Sequence, residues 1–444
     1  MKIGKVNSVI LGLLIILLGC VFLVHGQVGG DAFVLLKLYL PFIGIVLMGI
    51  TFIWTVWRVV KKRKIAQPLV GFLMSSIMGS MMLTNLGMQP YDINSENNAD
   101  YGIGDANRKG FQDKMDRLYH SMEHGAGDCF YLMTGDGSRC YMNTSGVFKE
   151  NSSYCNASIT KLYTATVIHQ LVAEGKITYE DKLLKYFAED EIVGIHTRKG
   201  KDYSKEITVK QLMNQTSGIA DFFTEKAKGE KSFYDRLLLE GDLSFSFSNA
   251  CDRCRKIEGH FPPGQGRKAH YSDMNYHLLG EIIIRKTGKS LQDNFSERIF
   301  KPLGLENTYL MEEEKWSCVP VDNKGKELKA IHYLISDSAA GGIITTMQDS
   351  MRFIQAFYKG ELFDIKKVPD YDCYRYIQFF PMQYGMGKMR FSMPGAPKAV
   401  GHSGATGAFA YYIEKYDVYA VGTTNDLNEA GSIKKMLRMA EGFR

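Results

Sequence analysis

Ser158 and Lys161 stand in S-x-x-K spacing within NASITKLYTATVIHQLVAEGKI, residues 156–177. Positions i and i+3 share one face of a helix, so the amine lies beside the hydroxyl. A serine at a helix start also has backbone N–H groups next to it that make no hydrogen bond within the helix. The chemistry this permits is nucleophilic: the hydroxyl attacks a carbonyl carbon while a base takes its proton. Lysine is that base only when neutral, so its pKa must fall from ~10.4 towards neutrality through burial or neighbouring positive charge. Four-residue patterns of this kind arise by chance, and a solvated helix lysine is the plain alternative.

Two other patterns suggest metal or redox chemistry. HSMEH, residues 120–124, fits H-x-x-E-H, in which two histidines on one helix face hold zinc beside a glutamate base. GAGD, residues 125–128, ends any helix at once, and such a site needs a long helix and a later third ligand. CDRC, residues 251–254, reads as a redox pair, half a zinc site or an ordinary bridge. No second pair at metal spacing follows, which favours a structural disulfide or free thiols. Outside an apolar N-terminal segment that holds Cys20, seven cysteines remain (129, 140, 155, 251, 254, 318 and 373), so a monomer leaves at least one unpaired.

The elements that must position these side chains are legible in outline. Leu162, Ala165, Ile168, Leu171 and Val172 recur at helical spacing after Ser158, and Gly175 closes the helix. CFYLMTGDGSRCYMNTSGVF, residues 129–148, reads as a hairpin turning at GDGS. Helical patterns and loops fill the chain from there to about residue 335. Strands return in MGKMRFSM (386–393), FAYYIEK (409–415) and VYAVGTT (418–424), before an amphipathic helix at 429–443. The expected fold class is α/β in the α+β sense: an antiparallel sheet from N- and C-terminal segments, flanked by helices, with a helical insertion at about 166–335.

Composition, 45% hydrophobic and 23% charged, excludes a disordered chain. The net charge of +6 is concentrated: residues 1–65 hold eight basic residues against Asp31, leaving −1 for residues 66–444. That excludes a basic nucleic-acid surface on the bulk of the chain. Apolar segments 9–24, 38–57 and 68–88 predict three transmembrane helices, the first slightly short. Lys2, Lys5 and RVVKKRK (58–64) then lie on the cytoplasmic side, which predicts a multi-pass cell-membrane protein with an extracytoplasmic domain. A cleaved signal peptide and a lipoprotein box at Cys20 are the alternatives for the first segment. The expected organisation is an anchor over 1–88, a polar linker over 89–115 and a domain over 116–444.

Two later stretches change the meaning of Ser158. FPPGQGRKAHYSDMNYHLLGEIIIRKTGKSL (261–291) contains Tyr271-Ser272-Asp273, and AVGHSGATGAFAYY (399–412) contains His402-Ser403-Gly404. With S-x-x-K they resemble, in order, the motifs of the serine β-lactamase and penicillin-binding protein superfamily: S-x-x-K, Y-x-N, then K-T-G or H-x-G. The likeness is to the class C-like branch, which includes D-alanyl-D-alanine carboxypeptidases, D-aminopeptidases and esterases. It covers roughly residues 118–440 and takes in ITVKQLMNQTSGIADF, IFKPLGLENTYL and SAAGGIITTMQDSMRFIQAFYKG.

The resemblance implies a β-lactamase/transpeptidase-like fold and an acyl-enzyme on Ser158. Lys161 and Tyr271 would share proton transfer, and the N–H groups of Ser158 and Ala405 would form the oxyanion hole. Gly404 would leave room for substrate along a strand edge, and His402 would take the triplet's basic place. No metal or organic cofactor is implied. Asp273 replaces the family's Asn and H-S-G replaces K-T-G, which weakens β-lactam hydrolysis and points to D-aminopeptidase and esterase-like members. The expected function is a membrane-anchored serine hydrolase for a small amide, peptide or ester, including D-amino-acid cell-wall peptides. The alternatives are a β-lactam or cell-wall-fragment sensor, or a scaffold working with a membrane partner.

Overall fold

The computed structural model describes residues 105–312, 316–393, 395–427 and 431–444. The expected hairpin is present as β1 (Cys129–Thr134) and β2 (Cys140–Thr144). Six strands follow near the other end of the chain: β3 (Arg375–Tyr376), β4 (Met382–Gly385), β5 (Lys388–Phe391), β6 (Ala399–Ser403), β7 (Ala408–Ile413) and β8 (Val418–Thr423). They form one sheet in the order β3-β4-β5-β6-β7-β8-β1-β2, antiparallel at every pair. β1 joins β8 with Cys129 opposite Thr423 and Thr134 opposite Val418.

Five longer helices surround the sheet: α1 (Asp105–His120), α2 (Thr160–Ala173), α3 (Asp273–Thr287), α4 (Met347–Lys359) and α5 (Ser432–Glu441). Side chains three apart on a strand point to opposite faces. On β1, Phe130 meets Tyr119 of α1, ring centroids 5.9 Å apart, while Met133 meets Gln355 of α4 at 3.2 Å. The chain just after α5 closes against α1 through Phe443 and Phe111, 5.0 Å apart. Both faces are therefore covered, and β8 is buried at every position rather than alternating.

α2 is not the amphipathic helix that its spacing suggests. Every residue from Thr160 to His169 is buried, because α3, β5 and the Leu291–Phe295 helix surround it. A helix enclosed on all sides has no solvated face to mark. Its buried threonines are satisfied internally: Thr164 Oγ1 donates to Ala339 O at 2.7 Å and Thr166 Oγ1 to Leu162 O at 2.8 Å.

Two sequence expectations need correction. Residues 105–115, expected in the linker, are helical, with Met115 of α1 fully buried in the core. The three transmembrane helices and the multi-pass membrane location are withdrawn. No helix among the described residues is long and apolar enough to cross a membrane, and segments 9–24, 38–57 and 68–88 lie outside those residues.

Burial of imidazoles has a measurable consequence. Burial lowers the pKa of His169 to about 3, of His196 to about 4 and of His402 to about 3. Each folded value lies below the ordinary 6.5, so below that pH the unfolded chain binds protons that the native state refuses. The contribution of these groups is complete above pH 6.5 and declines as pH falls towards 3–4, by at most about 1.4 kcal/mol per pH unit for each. Asp221 and Asp337, raised by burial, act in the opposite sense. Urea midpoints of His169→Gln between pH 7 and 5 isolate one share: the variant's stability should fall less steeply than the native chain's. Parallel slopes would remove this account of His169.

Candidate active site

Ser158 lies in a 3-10 turn, Ala157–Ile159, which runs directly into α2. Ala157 holds φ +46, the left-handed region that residues with a Cβ seldom occupy. The turn is fixed from both sides. Asn156 N donates to Ile343 O at 2.9 Å, and Thr406 Oγ1 donates to Cys155 O at 3.0 Å. Ser158 itself is half-buried, so its hydroxyl remains open to a substrate.

One turn on, Lys161 is fully buried. Its Nζ donates to Ser158 Oγ at 3.1 Å and to Ala340 O at 2.9 Å, and forms an ion pair with Asp273 Oδ1 at 2.7 Å. The ammonium also lies 5.2 Å from the ring centre of Tyr271 and 5.7 Å from that of Tyr276. Burial alone pulls the Lys161 pKa down, but Asp273, then Tyr271 and Asp337, outweigh it and hold it above the ordinary value. The resting lysine is thus an ammonium, not the neutral amine that proton abstraction requires.

Tyr271 and Asp273 flank the start of α3, where Ser272 is the N-cap and Asp273 opens the first turn. The Tyr271 phenol is buried without a well-formed hydrogen bond. Burial raises its pKa, an effect opposed by Lys161 and reinforced by Asp273. Its backbone is braced by Gln378, whose Oε1 accepts from Tyr271 N at 2.7 Å and whose Nε2 donates to Tyr271 O at 2.8 Å. Gln378 escaped sequence reading because it touches the site only across the fold. The NQTSGIAD segment does similar work: Gln215 Oε1 accepts from Ser272 N at 2.9 Å, and Asp221 Oδ1 from Asp273 N at 2.9 Å. Asp221 is pushed up to about 7 by burial and by the Asp273 carboxylate.

The H-S-G triplet ends β6. His402 is buried, its Nδ1 2.7 Å from Ser403 O, its Nε2 3.4 Å from the Tyr384 hydroxyl and its ring 6.2 Å from that of Tyr271. Nδ1–H donates to the carbonyl, leaving Nε2 as an acceptor. Burial, then the Lys161 ammonium, hold this ring neutral, so it supplies no positive charge at pH 7. Ser403 is half-buried with Oγ 3.6 Å from Met389 Sδ, and Ala405 is exposed. Gly404 differs from expectation: a Cβ there would stand 2.7 Å from Asn156 O and 3.0 Å from Ala157 Cβ. Its bare side makes room for the serine turn. β6 is not an edge either, since β5 pairs it from Ala399 to Gly401; only His402 and Ser403 run beyond that register.

The remaining sequence candidates separate from this cleft. His120 ends α1, and His124 Nδ1 contacts Asp128 Oδ2 at 2.8 Å. Cys251 and Cys254 are free thiols on one short helix, Phe247–Arg255, and burial pushes Cys251 up to about 12.

A half-buried serine joined to a buried lysine on the first turn of a central helix, with a tyrosine beside them and a large antiparallel sheet behind, is an arrangement consistent with a serine hydrolase. Residues 120–440 match the Beta-lactamase family model, and the chain belongs to that family. It is similar to Penicillin-binding protein 4* of Bacillus subtilis (strain 168), 24% identical over 295 residues, covering 60% of this chain and 59% of that protein. A D-aminopeptidase of Cereibacter sphaeroides is 26% identical over 215 residues, covering 46% of this chain and 38% of the relative. The chain thus spans 59% and 38% of the length of these two curated relatives. Among solved structures, a D-stereospecific amidohydrolase from Streptomyces sp. matches with TM-score 0.59 at 24% identity, over 74% of this chain and 97% of that one. The D-amino acid amidase from Ochrobactrum anthropi SV3 matches with TM-score 0.60 at 21% identity, over 75% and 97%.

Proposed function

We propose that the chain hydrolyses small amides, peptides or esters through an acyl-enzyme on Ser158, with D-amino-acid amides and short D-amino-acid peptides as the first substrate class. The observation that carries this reading is the 3.1 Å contact between a half-buried Ser158 Oγ and the buried Lys161 Nζ. The names of the D-aminopeptidase and amidase relatives support the substrate class.

Asp273 supplies what the charged lysine lacks. Acylation needs one proton to leave Lys161, and Asp273 Oδ1 at 2.7 Å is the acceptor within reach; from the resting ion pair this exchange is uphill and forms part of the acylation barrier. The amine then takes the Ser158 proton as Oγ bonds to the substrate carbonyl carbon, whose π electrons move onto oxygen. Backbone N–H groups of Ser158 and Ala405 receive that oxyanion. Collapse breaks the bond to the leaving amine or alcohol, which takes its proton from Lys161 or Tyr271. Water attacks the ester carbonyl next, giving one proton to the neutral Lys161 amine, which passes it to Ser158 Oγ as the acyl C–O bond breaks and the carboxylic acid leaves.

A panel of D-phenylalanine amide, D-alanyl peptides, a chromogenic cephalosporin and short-chain p-nitrophenyl esters tests the reading. Turnover of amide or ester is expected, faster than that of the cephalosporin. Absence of both turnover and fluorophosphonate labelling at Ser158 would overturn it. A resting ammonium at Lys161 also suits a slowly turning binding protein; one equivalent of stable acylation without turnover would favour that sensor reading.

Asp273→Asn gives a sharper check on the proton path. With the carboxylate gone, the largest influence raising the Lys161 pKa is removed while burial still lowers it, so the pKa falls from its native value. The rise of kcat/KM with pH should therefore move to lower pH by more than about one unit. An unmoved profile would separate Lys161 from the rate-limiting proton transfer.

A further inference from the structure

Glu225, His260 and His270 converge away from Ser158. His260 Nε2 lies 2.9 and 3.0 Å from the two Glu225 oxygens, and His270 Nε2 lies 2.7 Å from Oε1. The two imidazoles stack with centroids 3.5 Å apart. Among the described residues this is the one grouping of three His, Cys, Asp or Glu ligand atoms within 4.8 Å of one another.

We propose that these three side chains bind one divalent transition-metal ion, with zinc the best match. Two imidazole nitrogens and one carboxylate form a donor set suited to zinc, with water completing four-coordination. Bonds of roughly 2.0–2.1 Å at tetrahedral angles separate ligand atoms by about 3.3 Å. The observed N–O separations of 2.7–3.0 Å need to open by only a few tenths of an ångström. Side-chain exposures of 35% for His260 and 23% for Glu225 leave an entry path and space for the water.

The ligands are anchored to one segment of backbone. His260 N donates to Gly218 O at 2.9 Å, His270 N to Gln215 O at 2.8 Å and Glu225 N to Asp221 O at 3.0 Å. The same segment holds Asp273 N through Asp221, and His270 directly precedes Tyr271. An ion here would clamp the stretch that carries Tyr271 and Asp273. Its role is positioning, and the site stands whether or not the chain is a hydrolase.

The test uses the full chain without a histidine tag, dialysed against chelator and then titrated with zinc chloride. One equivalent should remain after dialysis into metal-free buffer, with a rise in Tm. Cobalt(II) in its place should give the visible absorption of a four-coordinate site. His260→Gln and Glu225→Gln, both at partly exposed positions, should lose the bound equivalent and the Tm shift while keeping the native circular dichroism. Failure of the native chain to hold an equivalent, or equal retention by both variants, would overturn the proposal.

Discussion

Ser158→Ala folds as the native chain does and loses the acyl-enzyme altogether, with kcat on an amide or ester lowered by at least ~10⁴-fold. Removing the attacking oxygen from a unit of cooperating groups costs most of their joint effect, because the others then have nothing to activate. The fold is spared because Ser158 is half-buried and its hydroxyl accepts from Lys161, which keeps Asp273 and Ala340 O as partners. The stability change should therefore stay within about 1 kcal/mol. Intact-protein mass spectrometry after a fluorophosphonate or fluorescent penicillin reads the result: an adduct on the native chain and none on the variant. Equal labelling of both would place the nucleophile elsewhere.

Lys161→Met should damage both activity and stability. Loss of the proton carrier lowers kcat by roughly 10²–10⁴-fold. The residue is fully buried, and its removal leaves the Asp273 carboxylate without its counter-charge beside Asp221 and Asp337. Breaking one side of a buried pair costs about 3–5 kcal/mol, mostly from the charge left behind. Lys161→Met/Asp273→Leu separates the two losses, since removing both charges together is often nearly neutral. Denaturant midpoints should recover towards native in the double variant while hydrolysis does not. If the double variant is as unstable as the single one, the stranded carboxylate is not the cause.

Local features were the legible ones. The Ser158–Lys161 spacing follows from helix geometry, and the hairpin, β7, β8 and α5 follow from periodicity and turn residues. Order along the chain, not local pattern, singled out Tyr271 and Asp273. Through-space partnerships were hidden: Asp273 as counter-ion of Lys161, Gln378 as brace of Tyr271 and the carbonyl of Ala340 as acceptor have no spacing to betray them. The protonation states were hidden for the same reason, since His402 and Lys161 are set by what surrounds them. β3 and β4 escaped notice too, being short, and with β5 they extend the sheet past β6, which otherwise reads as an edge. Hydropathy predicted membrane spans, but the described helices include none of sufficient length and apolarity.

The junction of β1 with β8 ties early and late parts of the chain together. During synthesis the hairpin and the turn that carries Ser158 leave the ribosome long before Val418–Thr423 exists to flank them. Until then β1 offers an open row of amides and carbonyls to any passing strand. Pairing across so long a separation is intrinsically slow to form and leaves the early strand open to aggregation until it closes. Chemical competence arrives last, once the final segments have been translated and docked.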